Sequence, residues 1–229
     1  MPASKRSSKA ALKPVATPVR KAAARPRQRV ATPGTDLKRE HILEVAERLF
    51  FEQGYARTSI EQIVRELGVT KPFVYYYFHD KQQIFETLTW RPTVACFTAM
   101  DFADDDLRPA HIKVQEGVAK LIGATVEHYP AAFLAYKDPQ SFRPEYLVAE
   151  KKLAGHFYDR LCALLEEGKR DGKLQFTETK LTALAACSLP GFMYTWYRPD
   201  GRLPPEAITL ELTQMALRVM GLRAAPRKR

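Results

Sequence analysis

Residues 69–81 read VTKPFVYYYFHDK, and the three consecutive tyrosines in this stretch decide how the first part of the chain is read. Neither a helix, turning by about 100° per residue, nor a strand, alternating by about 180°, can bury Tyr75, Tyr76 and Tyr77 together. At least one large amphipathic ring stays in water. Val, Tyr and Phe favour strands, but no partner strand stands nearby and helical signals flank the segment on both sides. The segment therefore reads as a helix. On its wheel Val74 and Phe78, four apart, mark the buried side and Tyr76 projects away from it. Tyr75 and Tyr77 flank the stripe, each able to bury ring area while its hydroxyl reaches outward.

The neighbouring segments support this reading. Thr70 is placed to cap the short helix, with Lys71 and Pro72 in its first turn, where a missing amide proton costs little. Upstream, TSIEQIVRELG (58–68) offers two capping boxes, Thr58 with Glu61 or Ser59 with Gln62. Ile60, Ile63, Val64 and Leu67 form its apolar face, and Gly68 supplies the positive φ that ends it. Earlier still, Ile42, Ala46, Leu49 and Phe50 make one stripe of a helix that Gly54 ends. Downstream, Asp80 with Gln83 begins a fourth helix. A helix of about two turns is not stable alone, so the tyrosine segment must be held by these neighbours.

Charge is distributed unevenly. The 229 residues carry a net charge of +10, and residues 1–35 hold nine of those charges in Lys5, Arg6, Lys9, Lys13, Arg20, Lys21, Arg25, Arg27 and Arg29, with no acid. This proline-containing arm cannot bury enough apolar surface to offset ordering and is expected to be disordered in isolation. A basic arm beside a DNA-reading unit can follow phosphates or enter a minor groove; by itself it is also simply a solvated tail. With 45% apolar residues the remainder can build a real core. No apolar run is long enough to span a membrane, and the N-terminus lacks the apolar middle of a secretory signal. A cytoplasmic protein, nucleoid-associated and without membrane contact, is expected. Cys96, Cys162 and Cys187 are few and far apart; they read as buried small hydrophobes, not as disulfide or zinc ligands. No cofactor or metal is indicated.

Beyond Asp80 helical patterns run over 80 to about 101, 109–128, 144 to about 171, 177–197 and 204–221. Breaks fall at Asp104-Asp105-Asp106, in a loop bracketed by Asp138-Pro139 and Arg143-Pro144, and at Arg198-Pro199-Asp200-Gly201. The expected fold is all-α. An N-terminal three-helix, helix-turn-helix unit over 36–82 precedes a larger helical body over 83–222 and a basic tail over 223–229.

Two short helices joined by a tight, glycine-containing turn place the second helix in a major groove. Tyrosine hydroxyls at its rim can donate to phosphate, and exposed rings can meet thymine methyls or sugar edges. Lys71 can probe guanine or meet a phosphate, Lys81 is placed for the backbone, and Thr58 and Ser59 stand where helix-start amides attract phosphate. Enzyme motifs are lacking: there is no GxSxG, HExxH or P-loop, and the acids at 104–106 read as a solvated loop. No enzyme activity is expected.

The 47 residues from Arg39 to Phe85, REHILEVAERLFFEQGYARTSIEQIVRELGVTKPFVYYYFHDKQQIF, resemble the N-terminal domain of TetR-family transcriptional regulators. The likeness rests on an ordered set of features: ILEVAERLFFEQGY, TSIEQIV, the GVTKP turn, and YYYFHDK leading into the fourth helix. It implies that Thr58, Lys71, Tyr75, Tyr76, Tyr77 and Lys81 contact DNA, with Lys81 anchoring a phosphate. Ser59, Thr70, Pro72 and Phe73 lie in the same reading region. Phe73 departs from the family's usual small or hydroxylated residue, and either meets DNA by apolar contact or packs on a neighbour. Tyr77, often His in the family, keeps a hydrogen-bonding tip without the possible positive charge.

The resemblance also implies a C-terminal domain that dimerises and encloses a small ligand, a homodimer acting on a palindromic double-stranded DNA operator, and repression as the commoner mode. Leu181, Leu184, Leu189, Ile208, Leu212, Met215 and Leu217 could build an inter-subunit four-helix bundle or pack within one subunit. Candidate pocket walls are Phe133, Tyr136, Phe142, Tyr146, His156, Phe157, Phe192 and Trp196. The segment YTWYRPDGRLPPE is similar to part of members that respond to acyl-coenzyme A. The competing reading is a non-specific architectural nucleic-acid binder driven by the basic arm.

Overall fold

The computed structural model describes residues 33–222, so the basic tail over 223–229 and all but the last three residues of the expected arm lie outside the description. The described chain is helical throughout: α1 (Pro33–Gln53), α2 (Ile60–Leu67), α3 (Lys71–Tyr77), α4 (Lys81–Phe97), α5 (Ala110–Glu127), α6 (Ala131–Lys137), α7 (Pro144–Arg170), α8 (Thr179–Gly191) and α9 (Pro205–Val219). Single 3-10 turns stand at Pro139–Ser141 and Met193–Thr195. The expectation of an all-α chain is met among the described residues.

Local chemistry fixes the first helices. Of the two capping boxes the sequence offers at 58–62, Ser59 forms the real one. Its hydroxyl accepts from the Gln62 amide at 3.3 Å while the Gln62 side chain accepts from the Ser59 amide at 2.7 Å. Gly68, at φ +64°, closes α2 in the left-handed region. Asp80 caps α4 by accepting from the Gln83 amide at 2.7 Å. Thr70 occupies the N-cap position of α3, but its side chain makes no capping hydrogen bond. That helix starts instead on Pro72, whose fixed φ suits a first turn, and is held by the burial of Val74 and Phe78.

Three boundaries differ from expectation. The helix expected to reach about residue 101 stops at Phe97, because turns at Ala99 and Asp101 swing Met100 into the core. There the Met100 sulfur occupies the space that a Cβ on Gly117 would need. The helix expected over 177–197 ends at Gly191, just past Pro190, and relaxes into the 3-10 turn. Finally, α6 forms over residues assigned to no helix, between the one expected over 109–128 and the loop expected from Asp138. It is seven residues long and bounded by Pro130 and Pro139, too short to show a period.

Two apolar cores result. One fills the body, around Val118, Ile122, Phe157, Leu161 and Leu165 from α5 and α7. The other sits under the N-terminal helices, with Ile42, Phe50, Ile63, Val74 and Phe78, and continues into α4 through Ile84, Phe85 and Leu88. Leu134 of α6 and Phe142 belong to this second core as well. The N-terminal unit is therefore completed by side chains that arrive some fifty or more residues later in the chain.

Candidate nucleic-acid interface and effector cavity

The outer face of α3 is built from the residues its wheel assigns there. Val74 and Phe78 are buried at 0% and 1% exposure, whereas Tyr76 is 58% and Tyr75 43% exposed. Tyr77 is half-buried, its ring edge-on to Tyr76 at 4.9 Å and to Phe73 at 5.3 Å. Phe73 packs against the lower core and braces Tyr77. Its bulk therefore supports the tyrosine row from behind. Thr70, Lys71 and Pro72, at the start of α3, are exposed alongside.

Two lysines expected on DNA are tied within the protein. Lys71 Nζ lies 2.5 Å from Glu61 Oε1 on the surface, and the pairing holds the Glu61 carboxyl down at about 2. A phosphate that takes Lys71 must compete with Glu61. Lys81 is the first residue of α4, and its ammonium donates to the carbonyls of Tyr55 (2.7 Å) and Thr58 (2.8 Å) over the Tyr55 ring at 4.0 Å. Burial lowers its pKa. In this geometry Lys81 is a clamp that fixes the α1–α2 turn to α4.

Thr58 requires a correction. Only 1% exposed, it turns its hydroxyl inward to the carbonyls of Gly54 (2.9 Å) and Leu49 (3.2 Å), and its amide donates to the Tyr55 carbonyl. A side chain so placed satisfies the end of α1 and offers nothing to phosphate. Both Thr58 and Ser59 had the right spacing for a cap; only the backbone turn decides between them.

Between α4, α5, α6, α7 and α8 lies a cavity of about 330 Å³. Phe97, Tyr136, Phe142, Phe157 and Tyr158 supply its rings, and Thr89, Thr93 and Thr125 its hydroxyls. Of the expected walls, Tyr136, Phe142 and Phe157 line it and five do not. Phe133 is buried against Tyr129, and Tyr146 stacks behind Phe142 at 4.3 Å with its hydroxyl on Thr89 at 3.0 Å. His156 stands outside, paired with Asp101 at 2.9 Å, and Phe192 and Trp196 are exposed at 60% and 48%. The cysteines are half-buried instead of fully buried, and Cys96 and Cys187 lie on the cavity wall, where burial raises both thiol pKa values, that of Cys187 to about 12. Pattern reading missed Glu150, also on the wall, because on α7 it looks like any surface acid.

Comparison with known proteins gives this geometry its relatives. Residues 42–88 match the family described as "Bacterial regulatory proteins, tetR family", and residues 108–220 match "Tetracyclin repressor-like, C-terminal domain". The chain belongs to the TetR family of transcriptional regulators. Among curated TetR-family relatives, the HTH-type transcriptional repressor BepR of Brucella suis is 29% identical over 166 residues, spanning 69% of this chain and 79% of its own. The HTH-type transcriptional regulator AcrR of Shigella flexneri is 44% identical over 50 residues, 22% of this chain and 23% of that relative. Among solved structures, the TetR-family regulator PfmR of Thermus thermophilus superposes with a TM-score of 0.66 at 26% identity, covering 80% of this chain and 99% of that one. AibR, in complex with isovaleryl coenzyme A and operator DNA, superposes at 0.64 with 18% identity, covering 79% and 98%. At that identity the likeness speaks for fold alone. No described helix is long and apolar enough to cross a membrane.

In this TetR-family chain the cavity and the helix-turn-helix head share parts. Phe142 lines the cavity while its ring meets Phe85 of the head core at 5.1 Å. Next to it, Arg143 binds Glu86 (2.7 Å) and Asp80 (2.6 Å), the cap of α4. Gln82 donates to the Ser141 carbonyl at 2.9 Å, and Asp138 accepts from the Tyr55 amide at 3.2 Å. The segment 138–143 is thus one wall of the cavity and one support of the helix-turn-helix.

The residues expected at a subunit interface divide into three groups. Leu181, Leu184 and Met215 are exposed, whereas Leu189 and Leu217 half-pack on the body core. Ile208 and Leu212 are buried at 9% and 8% in their own subunit, against α5 and α8, which corrects their assignment. A face of α8 that was not fully anticipated runs through Leu181, Leu184, Ala185, Ser188 and on to Phe192, all exposed. It carries no charge.

Proposed function

We propose that this protein is a homodimeric transcriptional repressor that reads a palindromic operator with α3 and releases it when a small molecule fills the cavity. The observation that carries the proposal is the exposed face of α3, two tyrosines beside Lys71 held over a capped, buried base. Rings and hydroxyls in a row at the end of a helix-turn-helix suit groove edges and phosphates together. Ser59, Thr70, Pro72 and Tyr77 fill the margins of that contact. The uncharged α8 face, with Met215 at its side, joins two subunits; two reading heads related by that two-fold axis then meet half-sites one helical turn apart.

Signal passes through segment 138–143. A molecule pressing on Phe142 moves a ring of the head core and the arginine that holds the α4 cap, so occupancy and head spacing are linked. The effector is small and largely apolar. An acyl thioester would fit by its chain, but among the lining residues there is no Lys or Arg to meet the phosphates of a coenzyme.

The test is binding of the purified protein to DNA flanking its own gene, followed by footprinting. Tyr76→Ala combined with Lys71→Ala is expected to weaken operator binding at least ten-fold, roughly the value of one or two lost base-edge contacts, with the dimer intact. Unchanged operator affinity in that double variant sinks the assignment of α3 as the reading helix.

A further inference from the structure

The cavity has one chemical asymmetry. Among the described residues its wall is made of aromatic rings, aliphatic and proline carbons, hydroxyls and thiols, and a single side chain charged at neutral pH, Glu150 of α7. The carboxyl is half-buried, and burial raises its pKa with no neighbouring cation pulling it back. The basic residues that follow it, Lys151 and Lys152, are exposed and do not line the cavity. Elsewhere between head and body, acids have partners: Glu86 and Asp80 hold Arg143, and Glu47 accepts from the Ala131 amide at 3.0 Å. Among the described residues, no side-chain hydrogen bond or ion pair holds Glu150.

We infer that the effector of this cavity is a lipophilic amine: an apolar, ring-bearing body seated among Phe97, Phe142 and Phe157, with an ammonium group directed at Glu150. Resting on the reading of the cavity as the effector site, the inference narrows what that site accepts. A half-buried carboxylate without a cation is an unbalanced charge in a poorly solvated wall, and an incoming ammonium balances it with charge-assisted hydrogen bonds. Tyr136 and Tyr158 line the same space, and aromatic rings beside a bound ammonium add cation–π attraction. An anionic ligand meets repulsion from Glu150 and finds no basic side chain in the wall, so carboxylates are excluded by charge, not by size.

The experiment uses the full chain and a matched series: 1-naphthylmethylamine, 1-naphthylmethanol and 1-naphthoate, each titrated calorimetrically, with isovaleryl coenzyme A as a fourth probe. The amine is expected to bind roughly ten-fold or more tighter than the alcohol, the value of one charge-assisted hydrogen bond, and the carboxylate not to bind. Glu150→Gln brings the amine down to the affinity of the alcohol and leaves the alcohol unchanged; Glu150→Asp retains part of the preference. Thermal melting of both variants verifies that the fold is kept. Equal affinity of amine and alcohol, tighter binding of the carboxylate or of the thioester, an amine affinity indifferent to Glu150→Gln, or no binding of the amine at millimolar concentration each overturns the inference. Operator binding by the ligand-free protein is measured in parallel. A protein that binds its operator but shows no amine preference overturns this inference alone, and one that binds the amine but no operator overturns the repressor reading.

Discussion

Thr58→Val tests whether the first residue of TSIEQIV serves DNA or the fold. The substitution keeps the branched shape of a side chain that is 1% exposed and removes only the hydroxyl, which donates to the carbonyls of Gly54 and Leu49 at 2.9 and 3.2 Å. One proton shared between a buried and a part-buried acceptor contributes about 1–2 kcal/mol, since removing the donor leaves carbonyls short of a partner. In a chain of this size 1 kcal/mol moves the melting temperature by about 2–4 °C, so a fall of roughly 2–8 °C is expected. The Thr58 carbonyl still receives Lys81, because valine keeps the backbone. Operator affinity at 20 °C, well below melting, should therefore stay within about two-fold of the parent. Circular dichroism melting and an electrophoretic mobility shift measure the two quantities separately. An unchanged melting temperature together with a ten-fold loss of operator affinity would refute the reasoning and return the hydroxyl to a phosphate.

Arg143→Met removes the link from the cavity wall to Asp80 and Glu86. Because the guanidinium is 36% exposed, screening limits the loss of stability to about 1 kcal/mol, while the concentration of effector needed to release DNA should change several-fold in a titration of the protein–operator complex. Leu184→Glu places a charge on the uncharged α8 face, and light scattering should then report a monomer with unaltered helicity. Residues 36–82 carry seven Lys or Arg (38, 39, 48, 57, 65, 71, 81) against eight Asp or Glu (36, 40, 44, 47, 52, 61, 66, 80), so the head itself has no excess of positive charge. Deleting residues 1–32, which hold nine cations and no acid, should flatten the salt dependence of DNA binding yet preserve preference for the palindrome; loss of that preference would favour the architectural reading.

How far the sequence could be read depended on the range of the interactions involved. Helices α1 to α4 are set by caps, glycines and apolar stripes that act within a few residues, and Val74, Phe78 and Gly68 stand as the wheel and the turn chemistry require. Ambiguity entered where two residues met the same local rule, as Thr58 and Ser59 did. The body was harder. Ile208 and Leu212 look identical in sequence to Met215, because an apolar helix with two partners shows one broad stripe and the stripe does not say which side faces its own subunit. Likewise Phe192 and Trp196 resemble Phe157, and only the tertiary packing separates rings on a surface from rings in a cavity. Lys81 had the residue type of an anchor, but the Tyr55 and Thr58 carbonyls that claim its ammonium are more than twenty residues away.

The late arrival of Leu134 and Phe142 in the head core limits modularity. A fragment ending near residue 82 would lack these two side chains together with Ile84, Phe85 and Leu88, leaving Phe50 and Phe78 against water. Such a fragment is not a transplantable cassette. Anyone grafting this DNA specificity onto another regulator, or replacing it with a different one, would have to carry α4 and match the recipient's residues at the two distant positions. On the proposed reading of the cavity as an effector site, drift in what it accepts is constrained in the same way, since Phe142 cannot adapt to a new ligand without disturbing the packing beneath the tyrosines.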